Sequence, residues 1–240
     1  MRSQEEILTD RVLSLFLLSS AGCDGLYSNI KFQKLVFLSE WNLIKKDIKA
    51  FHFKFFRYRL GPFSKELLLD QQELTEKGYI TGGLALKEKA VDLLEYVVAA
   101  TKDIRTNQEV YNTIEATCTE YGKKTALSLM DLVYKMKIRP HDMPGEEMPI
   151  RKIPAFMDIF VPEVQQMSQQ FELPEYLLND IAEDFGSQGL SEAEKVQLDK
   201  RTVDKFATAL IFTMSTPQKE RARDVLRKSN ASPELIRKFS

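Results

Sequence analysis

The sequence is poor in the side chains that most often announce chemistry. It holds two cysteines, Cys23 and Cys118, and two histidines, His52 and His141, in 240 residues. Two cysteines cannot build the disulfide framework of a small secreted domain. They form no C-x-x-C pair and no cluster with the histidines, so neither a structural zinc site nor any other metal or cofactor is expected. There is no Walker loop, no G-x-G-x-x-G, no G-x-S-x-G and no H-E-x-x-H. The two histidines lie far apart in the chain, which makes a Ser-His-Asp or Cys-His device a poor fit. No run approaches the roughly 18 apolar residues of a membrane span. Val12 to Leu18 followed by Ser20-Ala21-Gly22-Cys23 has a superficial look of a lipoprotein signal, but Glu5, Glu6 and Asp10 stand where such a signal is basic. A soluble, cytoplasmic protein with no membrane partner is expected. Charge of one sign is also lacking: 34 basic residues face 35 acidic ones. That balance excludes a surface that grips nucleic acid everywhere, and leaves room for a local basic patch.

What is present is a core-forming chain, with 43% hydrophobic and 29% charged residues. Its length corresponds to one large domain or two small ones, at roughly 100–200 residues each. Leu8, Val12, Leu15 and Phe16 recur at helical spacing and predict a helix over 4–21, ended by Gly22. Ser28 or Asn29 is placed to cap a second helix carrying Phe32, Leu35, Val36 and Leu43. Phe51, Phe53 and Phe55 alternate with His52 and Lys54, as in a half-buried strand, and Phe56 interrupts the alternation as a bulge or strand end would. Gly61-Pro62 is a turn, and Ser64 caps a third helix that stops at Gly78. Residues 79–86 read as a small hairpin around Gly82-Gly83. Helices follow over 87–100, 107–120 and 123–137. Pro140, Pro144, Gly145, Pro149 and Pro154 mark a domain boundary, placed at 145/146. Helices are then expected over 155–170, 174–185, 191–214 and 217–229. The fold class is α+β and predominantly helical, with a small antiparallel sheet in the first domain and a helical region over 146–240.

The carboxylates show no spacing that separates them from a solvated helix face, and both cysteines read as packing residues. The strongest local signal is residues 45–65, where Lys45, Lys46, Lys49, Lys54, Arg57, Arg59 and Lys65 face Asp47 alone, interleaved with Phe51, Phe53, Phe55, Phe56, Tyr58 and Phe63. Phenylalanines in the core with lysines in solvent would give this pattern, and so would a phosphate-binding surface. The element order also resembles a winged helix, in which Ser64, Lys65, Gln71 and Gln72 would touch bases or phosphates. Against that, the same helix carries Glu66, Asp70, Glu73 and Glu76, which phosphates repel. A basic run over Lys219–Lys228 and an acidic stretch over 171–199 suggest either internal complementarity or a charged docking face.

Lys31-Phe32-Gln33-Lys34-Leu35-Val36-Phe37-Leu38 resembles the K-x-Q-K-L-x-Y/F-L helix of the YwgA-like and SocA-like proteins, the Panacea antitoxin superfamily. Phe55 to Ser64 is similar to the aromatic and Gly-Pro element that follows it there. Leu74 to Ile80, with Lys77-Gly78, fits the next helix end, and Ser128 to Lys137 looks like the later L-x-x-x-V-Y helix. The likeness covers about residues 5–140. It implies a mostly helical fold and a non-enzymatic role: an antitoxin that binds and neutralises a partner toxin, or hands it to a protease, often in a phage- or plasmid-associated prokaryotic setting. On that basis Gln33, Lys34, Arg57, Tyr58 and Arg59 are the expected protein-partner contacts, arginine and tyrosine being enriched in hot spots. Gly61-Pro62 is expected to act through backbone geometry. A DNA-binding regulator using residues 45–65 is the alternative. The C-terminal region is left free to bind the partner, a second copy or the first domain.

Overall fold

The computed structural model describes residues 2–22, 28–138, 140, 147–160 and 167–185. The chain divides into two units, Met1–Gly186 and Ser187–Ser240. The helices expected over 191–214 and 217–229, together with Cys23, His141 and the Lys219–Lys228 run, lie outside the described residues.

Helix α1 (Gln4–Ala21) starts on a capping box in which Ser3 and Glu6 satisfy each other's main-chain N–H. Its Val12–Leu18 run is buried throughout. Helix α2 (Asn29–Ile44) follows Ser28, whose side chain makes no capping bond. Both helices pack on α5 (Arg105–Tyr121), and this trio forms the centre of the core. Helices α3 (Lys65–Glu76), α4 (Glu88–Thr101), α6 (Ala126–Lys135) and α7 (Glu175–Asp184) surround it. The predominantly helical α+β class is what the chain adopts. Among the described residues no helix is long and apolar enough to cross a membrane.

The strands are short and bring distant segments together. Strand β1 (Ile48–Lys49) pairs in parallel with β7 (Gln169–Gln170). Strand β2 (Phe55–Tyr58) lies between β3 (Gly61–Phe63) and β6 (Asp158–Phe160), antiparallel to both, with the register slipping between Phe55 and Phe56. Strand β4 (Lys137–Ile138) pairs with β5 (Met148–Pro149). The expected hairpin over 79–86 is one bridge wide, Ile80 to Leu86.

Phe51, Phe53 and Phe55 are fully buried, as their alternation predicts. Residues 51–54 nonetheless belong to no strand and pair with none among the described residues. Their main chain is held by carboxylates instead: His52 N–H donates to Asp10 at 2.8 Å and Lys54 N–H to Glu66 at 2.8 Å. Buried backbone groups need partners, and here side chains supply them.

Two expectations fail beyond residue 146. The helix expected over 155–170 is replaced by β6 and β7, because Asp158 and Phe160 pair with β2 across about a hundred positions of sequence, a contact no local pattern reports. The boundary expected at 145/146 is absent too. Residues 148–160 and 167–185 add strands to β1, β2 and β4 and lay α7 against α1, and they fall within the first unit.

Candidate protein interface

The motif residues converge on the turn between β2 and β3. Gln33 and Lys34 are each 2% exposed. The Gln33 amide behaves like a strand edge: Nε2 donates to the Ser64 carbonyl at 3.0 Å, and Oε1 accepts from Ser64 N–H at 2.9 Å. The Ser64 hydroxyl in turn accepts from Leu67 N–H and caps α3. Lys34 Nζ donates to the Pro62 carbonyl at 2.6 Å. Its stem lies over Gly61, where an added Cβ would sit 3.1 Å from Lys34 Cε and where φ is +96°. Glycine is therefore required at 61 on two counts, backbone conformation and space. Burial pushes the Lys34 ammonium down to about 7. Tyr134, from the L-x-x-x-V-Y helix, donates its hydroxyl to the carbonyls of Tyr58 and Arg59, at 3.1 and 2.6 Å.

These contacts correct part of the expected partner set. Gln33 and Lys34 are structural clamps inside the fold, and Tyr58 is 9% exposed, with burial pushing its hydroxyl up to about 12. Of the five residues, Arg57 is half-buried and Arg59 is exposed.

The residues proposed for nucleic acid are dispersed. Lys49 is buried and faces Glu40 at 3.4 Å. Lys46 pairs with Glu109 and bonds Thr113 at 2.9 Å, while Lys45 lies over the Trp41 ring. Ser64 is used as the cap, and buried Gln71 donates to Asn29 at 2.9 Å. Lys54 and Lys65 are exposed, and Gln72 is half-buried. The third helix turns Leu67, Asp70, Gln71 and Leu74 inward, leaving Lys65 and Glu76 exposed and Glu66 and Glu73 half-buried. No continuous basic face results from this set.

The expectation that the carboxylates are solvated is also corrected. Asp10, Glu40 and Asp70 are buried. Arg2 Nη1 bridges Asp10 and Asp70 at 2.7 Å each, Arg11 pairs with Asp70 at 3.3 Å and with Glu73, and Asp10 faces His52 Nδ1 at 3.1 Å. Desolvation raises Asp70, opposed by Arg2 and Arg11, and desolvation raises Glu40, opposed by Lys49. The network ties α1, α3 and residue 52 together. Among the described residues no group of three metal-ligating side chains occurs.

The open part of the neighbourhood is a ring cluster on β2. Phe56 meets Phe63 at 5.5 Å and Phe156 at 6.2 Å between ring centroids, and Tyr58 meets Phe63 at 5.6 Å and Phe156 at 5.5 Å. Phe156 caps the cluster while 70% exposed, and its φ is +66°. An aromatic residue in the left-handed region costs about 1–3 kcal/mol. Its place is fixed by two main-chain bonds, Phe156 N–H to the Arg57 carbonyl and Arg57 N–H to the Met157 carbonyl, both 2.8 Å. Leu60 at the turn is 39% exposed. The Arg57 guanidinium stands 6.0 Å from the Tyr134 ring centre. Arg151 and Lys152, on the turn that leads to Phe156, are exposed. Sequence reasoning found Arg57 and Arg59 here, quoted Tyr134 only within the L-x-x-x-V-Y helix, and missed Phe156, which arrives from a remote segment; its one local cue was an aromatic residue two positions after Pro154.

Compared with protein-family models, with curated proteins and with solved structures, the chain matches none. Likeness to the Panacea superfamily therefore rests on the quoted motifs.

Proposed function

We propose that this chain is a protein-binding regulator of the antitoxin kind, acting by stoichiometric capture of a partner protein on the Arg57–Phe156 face. The observation that carries this reading is Phe156: a large apolar ring held in solvent, on strained backbone, at the head of an aromatic cluster flanked by arginines. Strain and exposed apolar surface are retained where function uses them. Arginine and aromatic anchors at the centre of a patch are the composition of binding hot spots. The meeting of Gln33, Lys34, Gly61, Pro62 and Tyr134 at one corner supports the family reading, since it gives the spacing of the motifs a single physical reason.

The test is co-expression with the product of the neighbouring reading frame. That product is expected to arrest growth alone, to be neutralised by this chain, and to co-purify with it. A folded Phe156→Ala variant is expected to lose the rescue. A harmless neighbour that forms no complex contradicts the antitoxin reading. Steeply salt-dependent binding to duplex DNA, with no protein complex, would favour the DNA-binding alternative.

A further inference from the structure

Arg57 differs from Arg2 and Arg11. Arg2 and Arg11 are each held by carboxylates. Arg57 Nε is buried and has no hydrogen-bond acceptor among the described residues. No carboxylate among the described residues lies within ion-pair distance of its guanidinium. The side chain is nevertheless placed. Its main-chain N–H and carbonyl are both bonded to the 156–157 segment, it stands across from Pro62 in the register, and its guanidinium is set against Tyr134. A buried donor without an acceptor is costly, and a charged donor more so. A planar guanidinium fixed against a ring is preorganised to take two oxygens of one carboxylate side by side.

Resting on the protein-binding reading above, we infer that the Arg57–Phe156 face is a receptor for an acidic segment of the partner protein. Arg57 takes an Asp or Glu side chain of that segment bidentately through Nη1 and Nη2, its Nε lying inside the fold. An apolar or aromatic residue beside that acid stacks on Phe156, with Leu60 and Phe63 extending the apolar floor. The charge complementarity favours an acidic occupant. Arg59, Arg151 and Lys152 are exposed on the segments that flank the two anchors, and a basic occupant would meet like charge on each side. Nucleic acid is the other polyanion, and the face offers it one protruding ring, where a single strand needs a groove with aromatic platforms for successive bases.

The experiment uses the full chain and a set of synthetic peptides with a Phe-Leu core. The core is flanked by Asp and Glu, by Asn and Gln, or by Lys and Arg. An oligodeoxythymidine of the same charge as the acidic peptide is added as a further probe. Binding is followed by fluorescence anisotropy. The acidic peptide is expected to bind at least about tenfold more tightly than its amide twin. Arg57→Gln should erase that difference, Arg57→Lys should restore part of it, and Phe156→Ala should weaken acidic and amide peptides alike. The comparison of peptides on the unaltered chain needs no variant to fold. Equal binding of acidic and amide peptides overturns the inference, as does a preference that survives Arg57→Gln. Tighter binding of the oligonucleotide overturns it, and so does the absence of binding by every peptide. In each of these cases the co-expression rescue still reads out the protein-binding proposal separately.

Discussion

Lys34 and Arg57 are both basic, and both lie against Pro62, yet they meet opposite fates. Lys34 is buried, its Nζ bonded to the Pro62 carbonyl and its stem packed over Gly61. Arg57 stands across the register from Pro62 with its Nε in search of an acceptor. On one side of the turn Gln33 and Lys34 hold the chain through Ser64 and Pro62. On the other side strain, exposed ring and unused donor accumulate within a few residues. The contrast teaches that a motif can be dense in polar residues for internal reasons, and that the surface it builds is found where satisfaction stops. Most buried polar groups are hydrogen-bonded, and a binding face can tolerate what a partner will complete.

The comparison is broken most strongly from the buried side. Gln33→Leu leaves the Ser64 N–H and carbonyl buried without partners and unseats the cap of α3. A loss of roughly 2–5 kcal/mol in urea unfolding is expected, at about 1–3 kcal/mol per orphaned group with the cap added. Gly61→Ala forces a side chain into the left-handed region against Lys34 Cε, and a loss of about 1–3 kcal/mol is expected from the same measurement.

A pH series sharpens the same side. Lys34 titrates near 7 when folded and near 10.5 when unfolded. Between these values the unfolded chain binds more protons, so this residue makes stability rise with pH from about 7 to 10.5, and its contribution levels off below about 7. Lys34→Met should remove that slope. Glu40 acts in the reverse sense. Its folded value is raised, so the folded chain binds more protons and stability falls as pH climbs above the ordinary carboxylate range. Glu40→Gln should flatten that lower window and leave the Lys34 window in place.

On the open side, Phe156→Ala should leave stability within about 0.5 kcal/mol of the parent, because the ring is mostly in solvent and its backbone strain is not relieved by alanine. The same change should weaken partner binding by at least about tenfold. A large stability loss instead would mean the ring is part of the core.

Much of the fold was legible because its signals are local. The Ser64 cap, the alternation of Phe51, Phe53 and Phe55, the slip at Phe56 and the α1 and α7 helices all follow from residues a few positions apart. What was not legible depends on distant pairing. Strand β6 reads as helix until β2 is present to receive it. Lys49 looks like surface charge until Glu40 is brought beside it, and Asp10, Glu40 and Asp70 look solvated until Arg2, Arg11 and Lys49 arrive. The candidate site divides in the same way: Arg57 and Arg59 were visible in the basic-aromatic run, but Phe156 and Tyr134 reach them from other parts of the chain.

The central claim is that the partner sits on Phe156 and Arg57 while the Gln33–Lys34 corner stays internal. It is tested most directly by placing a photoreactive phenylalanine analogue at position 156, or at exposed Val91 on α4, and irradiating the co-purified complex. The account predicts a cross-link to the partner from position 156 and none from position 91. A cross-link from 91 with none from 156 would contradict it.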